Sequence, residues 1–251
     1  MEAIKDCCLA GHPQDPGRRT WLKAGVGAGT AAMMATVTLV PRGAEAASLT
    51  QAQRDAMTPD QVIDMMKQGN ERFRSGKPQQ HDYLAQKRSS AAGQFPAAVI
   101  LSCIDSRAPA EIVLDTGIGD TFNGRVAGNI ANSDLLGSME FACAAAGAKV
   151  VLVMGHTACG AVAGAIDNVE LGNLTGLLKI IKPAVAATKY SGERNGKNAE
   201  FVDAVAKTNV QHTIDAIRKN SPILADLEKQ GKIKIVGSMY DLSNGMVTFL
   251  S

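Results

Sequence analysis

The chain has 251 residues, 45% hydrophobic and 20% charged, an ordinary balance for one globular domain with a proper core. Its net charge is +2 and no basic run stands out, which argues against a nucleic-acid partner. Five cysteines stand at Cys7, Cys8, Cys103, Cys143 and Cys159. Setting aside the first two with the opening segment leaves an odd number, which argues against a disulfide framework and for thiols with another task.

The opening segment, Met1 to Ala46, carries five of the basic and four of the acidic residues. Arg18-Arg19-Thr20-Trp21-Leu22-Lys23 precedes the apolar run Ala24 to Val40. That run is 17 residues long, at the short limit for crossing a bilayer, and Gly25, Gly27 and Gly29 weaken its hydrophobicity. A small-residue site follows at Ala44-Glu45-Ala46. Basic residues, a mild apolar core and such a site are the layout of an export signal, and the arginine pair is that of the twin-arginine type. An uncleaved anchor is the competing reading. The segment 1–46 is therefore expected to engage the twin-arginine export machinery. Cleavage after Ala46 or Ala47 then leaves one domain over 47–251, periplasmic or otherwise exported and without a membrane contact.

Thr58-Pro59-Asp60 reads as a helix start, a capping hydroxyl followed by proline in the first turn. Val62, Ile63, Met66 and Phe73 share one face of that helix, which ends near Ser75-Gly76. A second short helix is predicted over Tyr83 to Ala92. Ala97 to Leu101 is a continuous apolar run, as a strand buried on both faces requires. Thr121 to Val126 is a less apolar strand, and Asn132 to Ala146 a helix with many small residues. Lys149 to Met154 is a second buried strand, and a helix begins just after Cys159. Asn173 to Tyr190 and Asn198 to Asn220 are helical, the latter with Phe201, Val205, Val210, Ile214 and Ile217 along one side. Lys232 to Tyr240 is a strand, and Met246 to Leu250 pairs with it as a hairpin after Asn244-Gly245. Strands alternating with helices predict an α/β protein with a mostly parallel β-sheet flanked by helices.

Two segments carry chemistry: Cys103-Ile104-Asp105-Ser106-Arg107 and His156-Thr157-Ala158-Cys159-Gly160. Each directly follows one of the two most apolar strands. In a parallel sheet the carboxyl ends of the strands share one edge, where ligands bind. Cys103, His156 and Cys159 can therefore converge across some fifty residues of sequence. Two thiolates and an imidazole suit zinc, and three protein ligands leave a fourth position open, the mark of a catalytic site. Cys159 also opens a helix, whose free amides favour a thiolate or an anion. Asp105 and Arg107 leave one turn, and a two-pronged pair would keep Asp105 ionised and oriented. Such a carboxylate can take a proton from an attacking water or swing in as a fourth zinc ligand. Cys143 and His212 read as structural residues on helices. His81 and Tyr83 are candidates for a proton shuttle only as titratable residues in a polar stretch, and a solvent-exposed surface role is expected for both.

At these residues the chain resembles the β-class carbonic anhydrases, whose signature is Cys-x-Asp-Ser-Arg with His-x-x-Cys-Gly. The similarity continues through Gly69-Asn70-Glu71-Arg72-Phe73, Gly93-Gln94-Phe95-Pro96, Gly119-Asp120 and Arg125-Val126-Ala127-Gly128-Asn129. It extends to Gly137-Ser138-Met139-Glu140 and Ser238-Met239-Tyr240-Asp241, covering nearly all of Met57 to Leu250. The resemblance implies four parallel strands with an antiparallel edge strand, assembled as a homodimer or homotetramer. It implies one zinc per subunit on Cys103, His156 and Cys159, with Asp105 and Arg107 as a catalytic dyad. Gln94 would contact substrate, often across the dimer interface, and the backbone N–H of Gly160 would face a bicarbonate oxygen. The activity implied is reversible hydration of carbon dioxide. Asn123-Gly124 departs from the family, which has two apolar residues there. Hydrolysis of carbon disulfide or carbonyl sulfide on the same scaffold, and non-catalytic zinc binding in an exported protein, are the competing functions.

Overall fold

A computed structural model describes residues 47–250. The export signal expected over 1–46 lies outside the described residues. Three helices open the described chain: α1 (Gln51–Ala56), α2 (Pro59–Arg74) and α3 (Tyr83–Ser90). Strand β1 (Ala98–Ser102), the short α4 (Ala110–Val113) and β2 (Thr121–Arg125) follow. After α5 (Ser133–Glu140), a π-turn over Phe141–Ala145 and β3 (Val150–His156) come α6 (Gly160–Ile166) and α7 (Gly172–Ala187). The chain closes with α8 (Ala199–Asn220), α9 (Pro222–Lys229), β4 (Lys234–Tyr240) and β5 (Val247–Phe249).

The five strands form one sheet in the order β2-β1-β3-β4-β5. The first four are parallel, and β5 pairs antiparallel with β4. The expected α/β architecture is therefore the observed one. Thr58 caps α2 through a reciprocal capping box with Gln61, and Pro59 takes the first turn, where its missing N–H costs nothing. Three elements go beyond the sequence expectations: α1, α4 and α9. For α9 the signal was present, since Ser221 caps it and Pro222 opens it. Only Leu224 of its eight residues is buried, too little periodicity to announce a helix.

Both faces of the sheet are covered, which is why β1 is apolar over Ala98–Leu101 and β3 over Val150–Met154. Ala98, Ile100, Leu152 and Met154 pack toward Val62, Ile63 and Met66 of α2. Val99, Leu101, Val151 and Val153 pack toward Val210, Ile214 and Ile217 of α8. The motif around Asn70 now has a physical reason. A Cβ on Gly69 would stand 1.9 Å from the carbonyl oxygen of Leu114, so only glycine lets α2 lie against the end of α4. Asn70 is buried and donates to the carbonyls of Val113 (3.0 Å) and Gly245 (2.9 Å) while accepting from Val247 N–H (2.8 Å). One amide thus ties α2 to α4 and to the β5 hairpin.

Helix α8 contacts the sheet at two glycines. A Cβ on Gly155 would meet Val210 at 2.6 Å, and one on Gly237 would meet it at 2.7 Å. The side chain of Val210 therefore fills the space left by two bare backbones, which sets the height of α8 over β3 and β4. No helix of the described residues is long and apolar enough to cross a membrane.

Candidate metal centre

Strands β1 and β3 are neighbours, with Ser102 opposite Met154. From β1 the chain turns to β2 on one side, and β3 lies on the other, so their carboxyl ends flank a crevice. Cys103 follows β1, His156 ends β3, and Cys159 caps α6. Their donor atoms lie within 4.8 Å of one another, and all three residues are buried. They are the only such group of metal-binding side chains found among the described residues.

The turn between His156 and Cys159 is held from several sides. His156 Nδ1 lies 2.8 Å from the carbonyl oxygen of Thr157. A carbonyl can only accept, so Nδ1 carries a proton, and in the neutral ring Nε2 keeps its lone pair. Nε2 is buried without any hydrogen-bond partner. An orphaned acceptor of this kind is costly unless something binds it. Ala158 adopts φ +51°, the left-handed region that costs a residue with a Cβ about 1–2 kcal/mol. Thr157 N–H donates to Tyr240 O (3.0 Å) and its hydroxyl accepts from Leu242 N–H (3.0 Å), pinning the turn to the end of β4.

The thiol pair shares a proton. Cys103 is drawn down to about 4, first by its hydrogen bond with Cys159, with burial opposing and His156 and Gly128 N–H assisting. The Gly128 amide is 3.4 Å from the Cys103 sulfur. Cys159 is pushed far up, first by that same bond to the Cys103 thiolate and then by burial. A cation between the two sulfurs would let both ionise. Burial disfavours charge on His156, but the Cys103 sulfur, the Thr157 carbonyl and Asp105 together raise its pKa. Two sulfurs and one unprotonated nitrogen in a buried triangle fit zinc, a soft N/S site with one position left open.

Beside this triangle, Arg107 grips Asp105 with a two-pronged pair, Nε to Oδ1 at 2.9 Å and Nη2 to Oδ2 at 2.7 Å, and its backbone N–H adds a third bond at 2.9 Å. These bonds hold the carboxyl well below the ordinary carboxylate range, with burial working against them. Asp105 Oδ2 is 3.9 Å from His156 Nε2, so an ionised oxygen borders the metal position. Both oxygens are engaged by Arg107, and ligation of a metal by Asp105 would have to break that pair. Arg125, which sequence reasoning left without a role, donates to the carbonyls of Cys103 (2.9 Å) and Asp105 (2.6 Å) and shapes the loop.

Of the remaining predicted residues, Gly160 stands at the mouth of the site, exposed at the start of α6. Gln94 does not join it. Gln94 is exposed ahead of β1, and Cys103 follows that five-residue strand, so the two lie at opposite ends of roughly 15 Å of chain. Cys143 is buried in the core, its thiol pushed up to about 12 by burial, as a structural cysteine should be. His212 is half-buried on α8 and outside the metal group. The surface role expected for His81 is overturned. Its side chain is only 9% exposed, with Nε2 3.1 Å from Asp115 Oδ1 and Nδ1 3.2 Å from Gln86 Nε2. The buried carboxylate of Asp115, also bound by Arg72 Nε at 2.6 Å, draws the imidazole inward. Tyr83 is exposed as expected. The departure at Asn123-Gly124 lies on edge strand β2, at a cavity of about 580 Å³ that Phe122, Leu135, Met139 and Phe141 also line.

The sequence profile of the carbonic anhydrase family matches residues 98–247. Carbonic anhydrase 2 of Mycobacterium tuberculosis is 37% identical over 182 residues, covering 72% of this chain and 87% of its own. The carbonic anhydrase of Mycolicibacterium smegmatis is 32% identical over 188 residues, covering 74% and 90%. Among solved structures, the β-carbonic anhydrase CafA of Aspergillus fumigatus superposes with a TM-score of 0.57 at 32% identity, over 64% of this chain and 78% of that one. A tetrameric β-carbonic anhydrase from Sordaria macrospora gives 0.57 at 27% identity, over 64% and 83%. With the paired cysteines and histidine at the ends of two adjacent parallel strands, this chain belongs to the carbonic anhydrase family, in its β class.

Proposed function

We infer that the protein catalyses the reversible hydration of carbon dioxide to bicarbonate and a proton, with Cys103, His156 and Cys159 holding its zinc. The observation that carries this reading is the buried triangle with an orphaned His156 Nε2 beside an ionised, clamped Asp105. Zinc, when bound, supplies the Lewis acidity that makes a water nucleophilic near neutral pH. Asp105 would accept a hydrogen bond from the attacking water and align it, and Arg107 holds the carboxylate for the purpose. Two thiolates offset the zinc charge, which makes a neighbouring acceptor the more useful. Gly160 N–H donates to a bicarbonate oxygen at the mouth of the site. Gln94 is too far along the sheet to serve its own Cys103, so it serves the site of a second copy in a homodimer or homotetramer. The tetrameric relative from Sordaria macrospora supports such an assembly.

Stopped-flow measurement of carbon dioxide hydration by the zinc-loaded protein tests the reading, with carbonyl sulfide and carbon disulfide offered in parallel. Turnover with carbon dioxide well above buffer is expected. Metal retained without hydration would instead mark a zinc-binding protein, and turnover confined to the sulfur compounds a different hydrolase.

Export is the second part of the proposal. Arg18-Arg19, the weak apolar run and Ala44-Glu45-Ala46 support a cleaved twin-arginine signal over 1–46, with the domain over 47–251 acting in the periplasm or beyond. That pathway moves folded proteins. Zinc loaded before export keeps Cys103 and Cys159 from meeting an oxidising compartment as free thiols. Replacing Arg18 and Arg19 together by Lys is expected to leave uncleaved precursor in the cytoplasm, as cell fractionation reads. Export of metal-free or disulfide-linked precursor would contradict loading before transport.

A further inference from the structure

The Thr157–Ala158 peptide joins two hydrogen bonds that point in one direction. Its carbonyl oxygen accepts from His156 Nδ1–H at 2.8 Å. Its amide, the N–H of Ala158, donates to Asp203 Oδ1 at 2.8 Å. Asp203 lies on α8, 45 residues away in sequence, and is half-buried. It reaches the turn because Gly155 and Gly237 let α8 sink onto the sheet at Val210, two helical turns beyond Asp203. The order of groups is therefore carboxylate, peptide, imidazole, and then the free Nε2.

A metal-binding histidine commonly donates its second ring nitrogen to a carboxylate or a carbonyl, which fixes the tautomer and ring orientation and raises ligand basicity. Here the carbonyl and the carboxylate act in series. A charge-assisted bond at the amide holds the peptide against the strained left-handed turn of Ala158. It also polarises the peptide, so that Thr157 O becomes a better acceptor for Nδ1–H. We propose that Asp203 is a positioning residue of the zinc site, which acts through the Thr157–Ala158 peptide to aim His156 Nε2 at the metal. Nothing in the position of Asp203 along the sequence marks it for this role. Arg107 Nη2, 3.5 Å from the carbonyl oxygen of Ala158, adds only a weak contact on the far side of the same residue.

The test compares D203A, which removes the acceptor, with D203N, which keeps an acceptor oxygen but removes the charge. Zinc affinity is read by chelator competition, and ligand geometry by the visible spectrum of the cobalt(II)-substituted protein. Affinity in D203A is expected to fall about tenfold, the lower end for an outer group because the effect is relayed through a peptide and the bond is exposed. Its cobalt bands should shift, whereas D203N should keep them and lose about two- to fivefold in affinity. Affinities of both variants within twofold of the parent overturn the proposal. So does a tenfold loss in D203A with an unchanged cobalt spectrum, which would mean general destabilisation of the fold. If D203A does not fold, D203N decides: a two- to fivefold loss of affinity with the thermal stability of the metal-free protein unchanged supports the role, and parental affinity, or a loss matched by a lower unfolding temperature of the metal-free protein, overturns it. The proposal rests on the zinc reading above, but affinity and spectrum are read without turnover, so a failed hydration assay would be seen separately.

Discussion

Cys159→Ser is expected to leave the protein folded but nearly free of zinc. The substitution is almost isosteric at a site that is 1% exposed, so packing around it in the core of α6, α7 and α8 is preserved. What is lost is the thiolate. A serine hydroxyl is not ionised near neutral pH and is a poor ligand for a borderline-soft cation. Cys103 and His156 alone cannot hold a tetrahedral site. Elemental analysis should find zinc far below one per chain. Hydration should fall on the order of 10³-fold, because several kcal/mol of transition-state stabilisation come from the metal. Thermal unfolding should become insensitive to added zinc, since binding to the native state no longer stabilises it. Full zinc occupancy with parental turnover would remove Cys159 from the site.

Asp105→Asn separates holding the metal from using it. The three donors are untouched, and an asparagine oxygen can still accept from Arg107, so zinc content should stay near one per chain. Turnover should nonetheless fall about 10²- to 10⁴-fold, the usual contribution of a positioned proton acceptor. The charge state of Asp105 sharpens the expectation. Arg107 keeps its pKa depressed, so the carboxylate is ionised throughout the neutral range. The stability linked to this pair is fully present above the unfolded value of about 4 and is lost only as pH falls through the lower folded value. A fall of activity near neutral pH must therefore come from another group, and the variant should lower the plateau of the pH–rate profile without moving its neutral limb. Parental activity in the variant would exclude Asp105 from the chemistry.

The metal set was legible because its members sit on local signals. A strand buried on both faces is a short unbroken apolar run, and both reactive segments begin where such a run ends, at Ser102 and at His156. Chain geometry then forces their side chains to one edge of the sheet. The spacing of Asp105 and Arg107 put an ion pair on one turn, and the observed two-pronged contact follows directly. The short α9 was harder, because a single buried leucine leaves no period to read and the Ser221-Pro222 cap was its only mark.

By itself the sequence determined the kinds of element, the α/β class, the three zinc donors and the clamped aspartate, because each reactive segment is a local pattern at the end of an apolar run, even though the two segments stand some fifty residues apart. Only the tertiary structure decided the strand order, the inward turn of His81 toward Asp115, the grip of Arg125 on the Cys103 loop and the reach of Asp203 to the Ala158 amide. These are pairings between groups 20 to 45 residues apart in the chain, apart from the strand order itself. Their partners are chosen by which faces pack together and how closely. The space left by two bare glycine backbones under Val210 settles that for α8, and periodicity along a single strand or helix cannot express it.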